Sequence, residues 1–406
     1  MLGSRRVSRN IPTRTLVRRK PSLDFSLTGL VYCSMMMFMA LAAVNSQANL
    51  LFGVFGLMVG ILFVSFVISG FILRRMELKR VLPELAIVGQ PTTITYEFTN
   101  NKKFWPTLSI SLAEIDGAEA FTRQPVSYLL HTAPGMTATV PIEVIPKRRG
   151  LHEMGRYQIS TSFPFGFIKR ALDQRQVQEL LVYPSIGKVN EKLLSMCRSA
   201  ESSGAMMRPR RGGMDEFYGL KEHRLGENPR WIYWRRSART GVLVAKEMTH
   251  VSPPRLVLLV DTHNPQRTMD SHTAVEQTIA MAASLVSEGL ERGLSVGLCA
   301  WSDGWITIGP NRGKRHRRDL LAVLARLPLN TIHDSHELAD HSHHMIKSDT
   351  TSVLLTPRAM SSGMTDSARG MLVISSASEE TRSWFQFPPT VDFARCMPVE
   401  EEPRKR

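Results

Sequence analysis

The chain has 406 residues, 51 Lys and Arg against 36 Asp and Glu, a formal net charge of +15, and 43% hydrophobic residues. That length suits roughly two or three domains, and the moderate charge and hydrophobicity exclude both a disordered chain and a polytopic transporter. The positive excess points to an anionic neighbour, phospholipid or nucleic acid. The widely spaced Cys33, Cys197, Cys299 and Cys396 read as reduced cytosolic thiols and not as a disulfide framework.

Residues 1–24 form a basic N-terminus carrying Arg5, Arg6, Arg9, Arg14, Arg18, Arg19 and Lys20. From Phe25 to Leu73 no residue is charged, and a polar turn (Asn45, Ser46, Gln47, Asn49) divides the run. Region 25–75 is therefore expected to hold two transmembrane helices, about 27–44 and 50–73, each able to cross ~30 Å of hydrocarbon. No small-residue cleavage site follows a short apolar core, which argues against a signal peptide. Arg74, Arg75, Lys79 and Arg80 follow the second helix, and the turn is uncharged. The positive-inside rule then keeps both ends cytoplasmic, with basic flanks that suit anionic headgroups. Gly56 and Gly60 form a GxxxG pair that would let helices approach closely.

Residues 81–185 read as an all-β, sandwich-like domain. Alternating runs at 92–98, 108–112, 137–145 and 157–162 are separated by turn residues such as Pro106, Gly117, Gly135 and Gly150. Residues 186–213 break the pattern and read as a linker containing the basic run Arg208, Arg210 and Arg211. From 251 to 380 the texture is α/β. An apolar strand at 256–260 ends on Asp261, and a helix face of Val275, Ile279, Ala282, Val286 and Leu290 stops at Gly293. A strand at 295–300 turns through Asp303 and Gly304 into 305–308, a helix covers 316–327, and strands follow at 353–356 and 371–375. This alternation predicts a mainly parallel sheet with helices on both faces. Residues 381–406 read as a tail.

Three short motifs fail on context. Gly293, Ser295 and Gly297 match GxSxG, but a nucleophile elbow needs the strand before the serine, and here the helix comes first. The run 309–314 has the wrong glycine spacing for a phosphate loop, and Arg315 stands where a magnesium-binding hydroxyl belongs. His333, His336, His341, His343 and His344 crowd one stretch with Asp334 and Asp340. Of these, His336, Asp340 and His344 would share a helix face, which reads as solvated surface more readily than as a metal site.

Segment 214–250 interleaves basic and aromatic residues, among them Phe217, Tyr218, Trp231, Tyr233 and Trp234, a mixture that could stack and neutralise single-stranded nucleic acid. Asp215, Glu216, Glu222, Glu227 and Glu247 are interspersed, which favours an internal ion-pair network with Arg stacked on Trp. The run Tyr218, Gly219, Leu220, Glu222, Arg224, Gly226, Arg230, Trp234, Ser237, Ala238 and Arg239 resembles the signature of the bacterial "domain of unknown function 58" family. The layout is similar too: a helical hairpin, a β-rich region ending in Phe163-Pro164-Phe165-Gly166, the signature, then an α/β domain.

The resemblance implies a Rossmann-type, von Willebrand factor A-like fold for 251–380. Such domains often bind a divalent metal through Asp-x-Ser-x-Ser. Here the strand ends Asp261-Thr262-His263-Asn264-Pro265, and Thr356-Pro357-Arg358 stands where a second carboxylate belongs. Asp261 is thus a lone metal candidate, short of the oxygen ligands magnesium needs. The resemblance further implies a non-enzymatic, multi-pass protein of the bacterial inner membrane. Its termini and soluble domains would be cytoplasmic, and it would dock a protein partner such as a MoxR-type ATPase. No cofactor, small-molecule substrate or nucleic acid is expected. The alternatives are a metal-dependent enzyme built on Asp261 and the His-rich helix, and an anionic-lipid or nucleic-acid binder using Arg208–Arg211 and Lys314–Arg318.

Overall fold

The computed structural model describes residues 20–199, 216–224, 228–249, 254–265, 268–331, 333, 335–343, 346, 350–359, 365–366 and 371–396. The basic residues 5–19 and 208–211, together with Gly226, Glu227, Asp334, His344 and everything after 396, lie outside them. The chain divides into two compact units, residues 1–185 with 388–406, and residues 186–387.

Unit 1 opens with strand β1 (Lys20–Phe25), followed by α1 (Leu27–Ser46) and α2 (Asn49–Ile72). Both helices are long and apolar enough to cross a membrane. Their large side chains, such as Leu30, Phe38, Leu57 and Phe63, stay exposed, as the helices of a water-soluble core would not. The observed ends fall within two residues of the expected ones. The reversal itself is Gln47-Ala48, with Gln47 in the left-handed region (φ 48). Among the described residues, nothing lies within 4 Å of a Cβ placed on Gly56 or Gly60, so the GxxxG pair stands open there.

Beyond the helices lie β2 (Met76–Val81), β3 (Ala86–Ile87), β4 (Thr92–Asn100), β5 (Thr107–Glu114), β6 (Val126–Thr132), β7 (Thr137–Val144), β8 (Gly150–Thr161) and β9 (Ile168–Tyr183). They form a six-stranded sheet ordered β1-β9-β8-β5-β6, with β3 beside β9, and a three-stranded sheet β2-β4-β7. Strand alternation places Ile94, Tyr96 and Phe98 of β4 in one core with Ile110, Leu112, Met154, Tyr157 and Ile159.

Two expectations need correcting here. Arg80, read from sequence as a headgroup-facing flank, is fully buried. Its Nε lies 2.9 Å from Glu114 Oε1, its Nη1 donates to the Met154 carbonyl (2.9 Å), and the Tyr96 hydroxyl donates to the same carboxylate (2.9 Å). Arg80 falls on the inward phase of β2; a flank count ignores that two-residue period. The expected tail also folds in part. Residues 388–396 return to unit 1, where Cys396 joins the core beside Val391 and Phe393, and the Arg149 amide donates to the Cys396 carbonyl (3.2 Å).

Unit 2 contains β10 (Lys188–Val189), α3 (Glu191–Ser199), β11 (Glu216–Glu222), α4 (Trp234–Thr240), β12 (Val244–Thr249), β13 (Arg255–Val260), α5 (Met269–Glu291), β14 (Ser295–Trp301), β15 (Trp305–Asn311), α6 (Lys314–Arg326), α7 (Ser335–Ser342), β16 (Thr350–Thr356), β17 (Thr365–Asp366), β18 (Met371–Ser375), α8 (Glu379–Ser383) and β19 (Phe385–Gln386). The first part of the expected linker is therefore structured: β10 pairs with β19, and α3 follows. Two-residue strands whose partner lies almost two hundred residues away carry no local period, so the sequence pattern could not mark them.

The main sheet runs β15-β14-β13-β16-β18-β17. Strands β14, β13, β16 and β18 are parallel, and both edge strands are antiparallel. The parallel strands are almost continuously buried, as burial on both faces requires. Val257 and Leu259 pack with Leu338 and Ala339 of α7. By strand alternation Leu256 faces the other way, and there it meets α5 beside Gly289. Thr268 and Ser271 cap the start of α5 reciprocally.

Candidate functional site

Strand order reverses between β13 and β16. From β13 the chain crosses through α5 to β14 on one side, whereas β16 leads to β18 on the other. In an open parallel sheet the crevice at such a point, beyond the carboxyl ends of the strands, is the usual ligand position. Asp261 directly follows β13 here, and Thr356 ends β16.

Asp261 is buried, and its two oxygens are taken by protein donors. Oδ1 accepts from the His263 amide (2.8 Å). Oδ2 accepts from the Thr356 hydroxyl (2.9 Å) and from Arg358 Nη2 (3.1 Å). The arginine thus brings its positive charge to the carboxylate that the sequence singled out as a metal candidate. A fixed guanidinium neutralises Asp261 where magnesium would need several more oxygens. The following loop is tied down in turn: His263 Nδ1 lies 2.8 Å from the Thr331 carbonyl, and the Asn264 amide donates to Asn330 Oδ1 (3.0 Å).

Beside this pair is a shallow open pocket with room for about one water molecule, lined by Asp261, Thr262, Trp301, Trp305, Thr331 and His333. Its wall is aromatic. Trp301 meets Trp305 edge-on at 5.1 Å, His333 lies 4.0 Å from Trp301, and His341 stacks on Trp305 at 4.3 Å. Two of the clustered histidines are therefore packed on tryptophan, and His333 also bonds Glu337. His336 and Asp340 are exposed on α7. Among the described residues, no group of three or more His, Cys, Asp or Glu converges as a metal cage. Cys299 is buried within β14, and burial pushes its thiol up from the usual range, disfavouring the nucleophilic thiolate. Ser295 opens β14 after α5, so the order required of a nucleophile elbow is absent.

The signature segment folds as an antiparallel pair, β11 with β12, bridged by α4. Within the signature, Gly219 and Leu220 are half-buried on β11, Glu222 and Arg224 are exposed, and Arg230 is exposed in a short 3-10 turn. Ser237 is the inward residue of α4: its hydroxyl donates to the Tyr233 carbonyl (3.1 Å) and accepts from the Val244 amide (2.9 Å), pinning the helix to β12. Gly241 ends α4 with φ +72, a left-handed conformation that suits glycine.

The outward face of α4 is Trp234 (64% exposed) with Arg235, Arg236, Ala238 and Arg239, all exposed. Among the described residues, Arg235, Arg236 and Arg239 make no ion pair, and within the signature segment Lys246 lies over the Tyr233 ring (5.2 Å). Asp215 and Glu227 of the expected ion-pair network lie outside the described residues, and the arginines of α4 are exposed rather than stacked on Trp234. Glu222 sits on β11 and the arginines on α4, so neighbours in sequence are separated by the fold.

The second unit is accordingly an α/β protein module with a parallel-centred sheet, an appended basic β-α-β signature and a switch-point crevice closed by Asp261 and Arg358. Residues 220–368 match the family described as Protein of unknown function DUF58, the family the signature resembles. The match runs from β11 through Trp234, Asp261 and Arg358. No curated protein matches the chain.

Proposed function

We propose that the protein is a membrane-anchored interaction platform that docks a soluble partner, a MoxR-type ATPase, through the exposed face of α4. Trp234 ringed by Arg235, Arg236 and Arg239 carries this reading. Tryptophan and arginine dominate the binding energy of protein interfaces, and a helix presenting both to solvent is suited to a second surface. Ser237 fixes the orientation of that face.

On the same reading, unit 2 is a von Willebrand factor A-like domain in which Arg358 replaces the metal ion. The strand-end position of Asp261 and the parallel order around β13 support this. The two apolar helices anchor the chain in the bacterial inner membrane as a hairpin, with both termini and both units cytoplasmic. The basic residues Arg74, Arg75 and Lys79 after α2 support this orientation.

The test is direct binding of full-length protein in detergent to a purified MoxR-type ATPase from the same genome. Trp234→Ala should weaken binding by roughly 30-fold, the effect of losing a hot spot of about 2 kcal/mol. Wild-type protein that binds no such ATPase, or binding indifferent to Trp234, rejects the proposal.

A further inference from the structure

Unit 1 holds the ends of its two apolar helices with two loops of its sheets. At the start of α1, the Ser26 amide donates to the Phe167 carbonyl (3.0 Å), the Thr28 hydroxyl donates to the Gly166 carbonyl (2.9 Å), and Tyr32 stacks on Phe167 at 4.2 Å. Gly29 passes so near the Phe167 carbonyl that any side chain there would collide with backbone. At the end of α2, Lys102 Nζ donates to the Ile72 carbonyl (2.7 Å), one of the acceptors a helix terminus leaves open, and Trp105 faces Phe71 at 6.5 Å. Arg170 lies 5.2 Å from the Phe66 ring, more than a turn inside α2, so its aliphatic stem runs along the helix. The hairpin brings both attachment points to one end.

What these loops turn outward is aromatic. Phe104 is 85% exposed, Trp105 62% and Phe165 51%. Large aromatics on two adjoining loop tips form an apolar patch that water disfavours. Lys103, Lys169, Arg74 and Arg75 are exposed beside them, against Asp24 and Glu77 as the acidic groups of the same rim. Aromatic rings flanked by cations, at the level where apolar helices end, have the composition of the lipid–water boundary.

We infer that the loops 101–106 and 162–167 form a collar that enters the headgroup layer of an anionic bilayer, so that the sheets of unit 1 bind membrane in their own right, in addition to α1 and α2. The inference rests on the membrane-anchored reading of those helices. The bilayer is the occupant because the patch is continuous with two spans whose apolar faces need lipid, and its charge is complementary to anionic headgroups. Through its contacts at both helix ends, the collar also fixes the tilt of the sheets against the membrane.

The test uses full-length protein reconstituted into phosphatidylcholine vesicles containing phosphatidylglycerol, with and without acyl chains brominated near the headgroup. The other five tryptophans are common to wild type and Trp105→Phe, so the difference between the two emission spectra reports Trp105. That difference should fall roughly two-fold on bromination, as for a ring at the interface. Phe165→Trp in the Trp105→Phe background should regain a quenchable signal, and both changes keep an aromatic side chain, so the loops stay folded. A Trp105 component unaffected by bromine in protein that still floats with the vesicles overturns the collar. Protein that does not float with the vesicles at all overturns the anchor instead.

Discussion

Each unit pairs an arginine with a buried carboxylate, Arg80 with Glu114 and Arg358 with Asp261. Removing one partner of a buried pair leaves the other charge uncompensated, at about 3–5 kcal/mol. Arg80→Met should lower the stability of unit 1 by that amount, whereas Arg80→Met combined with Glu114→Leu should recover most of it. Thermal unfolding of the three variants in detergent checks both halves, and equal losses in the single and double variants would show that the pair is not coupled. Arg358 is partly exposed, so water screens its pair with Asp261 and the expected loss in Arg358→Ala is smaller, about 1–3 kcal/mol. Asp261→Asn should relieve that loss, since the carboxylate is what Arg358 compensates. Magnesium should not relieve it, because Asp261 and Thr356 alone offer too few oxygens; a melting temperature restored by magnesium would contradict the role given to Arg358. Neither arginine could be assigned from sequence. The bonded pairs Arg80–Glu114 and Arg358–Asp261 are separated by 34 and 97 residues, and a basic flank looks the same whether its side chain turns to lipid or to a core.

At the scale of elements, sequence was most informative where one element satisfies itself. The helices α1 and α2 announce themselves by an uncharged run, and α5 by a face of Val275, Ile279, Ala282 and Val286 stopped by Gly293. The hairpin from β14 to β15 follows from Asp303 and Gly304. The pairing of β1 with β9, of β10 with β19, and the docking of residues 388–396 depend on distant partners, so they left no local trace. The signature was recognisable as a pattern, but the exposure of α4 was not, because alternating signs favour pairing while the fold turns Trp234 and the arginines of α4 outward. Its internal fixing point is testable. Ser237→Ala removes a buried acceptor from the Val244 amide and should cost about 1–2 kcal/mol locally. Hydrogen exchange at Val244 should then quicken by roughly 5–30-fold while the amides of β13 remain protected. Unchanged exchange at Val244 would mean that Ser237 does not hold α4.

For the whole molecule, the division of the chain matters more than either unit's fold class. The sheets of unit 1 are interrupted after residue 185, all of unit 2 follows, and the chain comes back at Pro388 to place Val391, Phe393 and Cys396 in the first core. The Thr390 hydroxyl donates to the Gly89 carbonyl (2.6 Å), and the Arg149 amide reaches Cys396, so the return is bonded as well as packed. Ending the chain after Phe387 should therefore weaken unit 1, which the truncation leaves otherwise intact, more than unit 2. Limited proteolysis should cut β2–β8 sooner in the truncated protein, and unaltered resistance there would refute it. The insertion also has a consequence during synthesis. At about 5–20 residues per second, a ribosome delivers residue 388 roughly 10–40 s after residue 185. Throughout that interval the sheets of unit 1 stand unclosed beside two completed apolar helices, so a chain released too early is left with an open core that a protease can recognise.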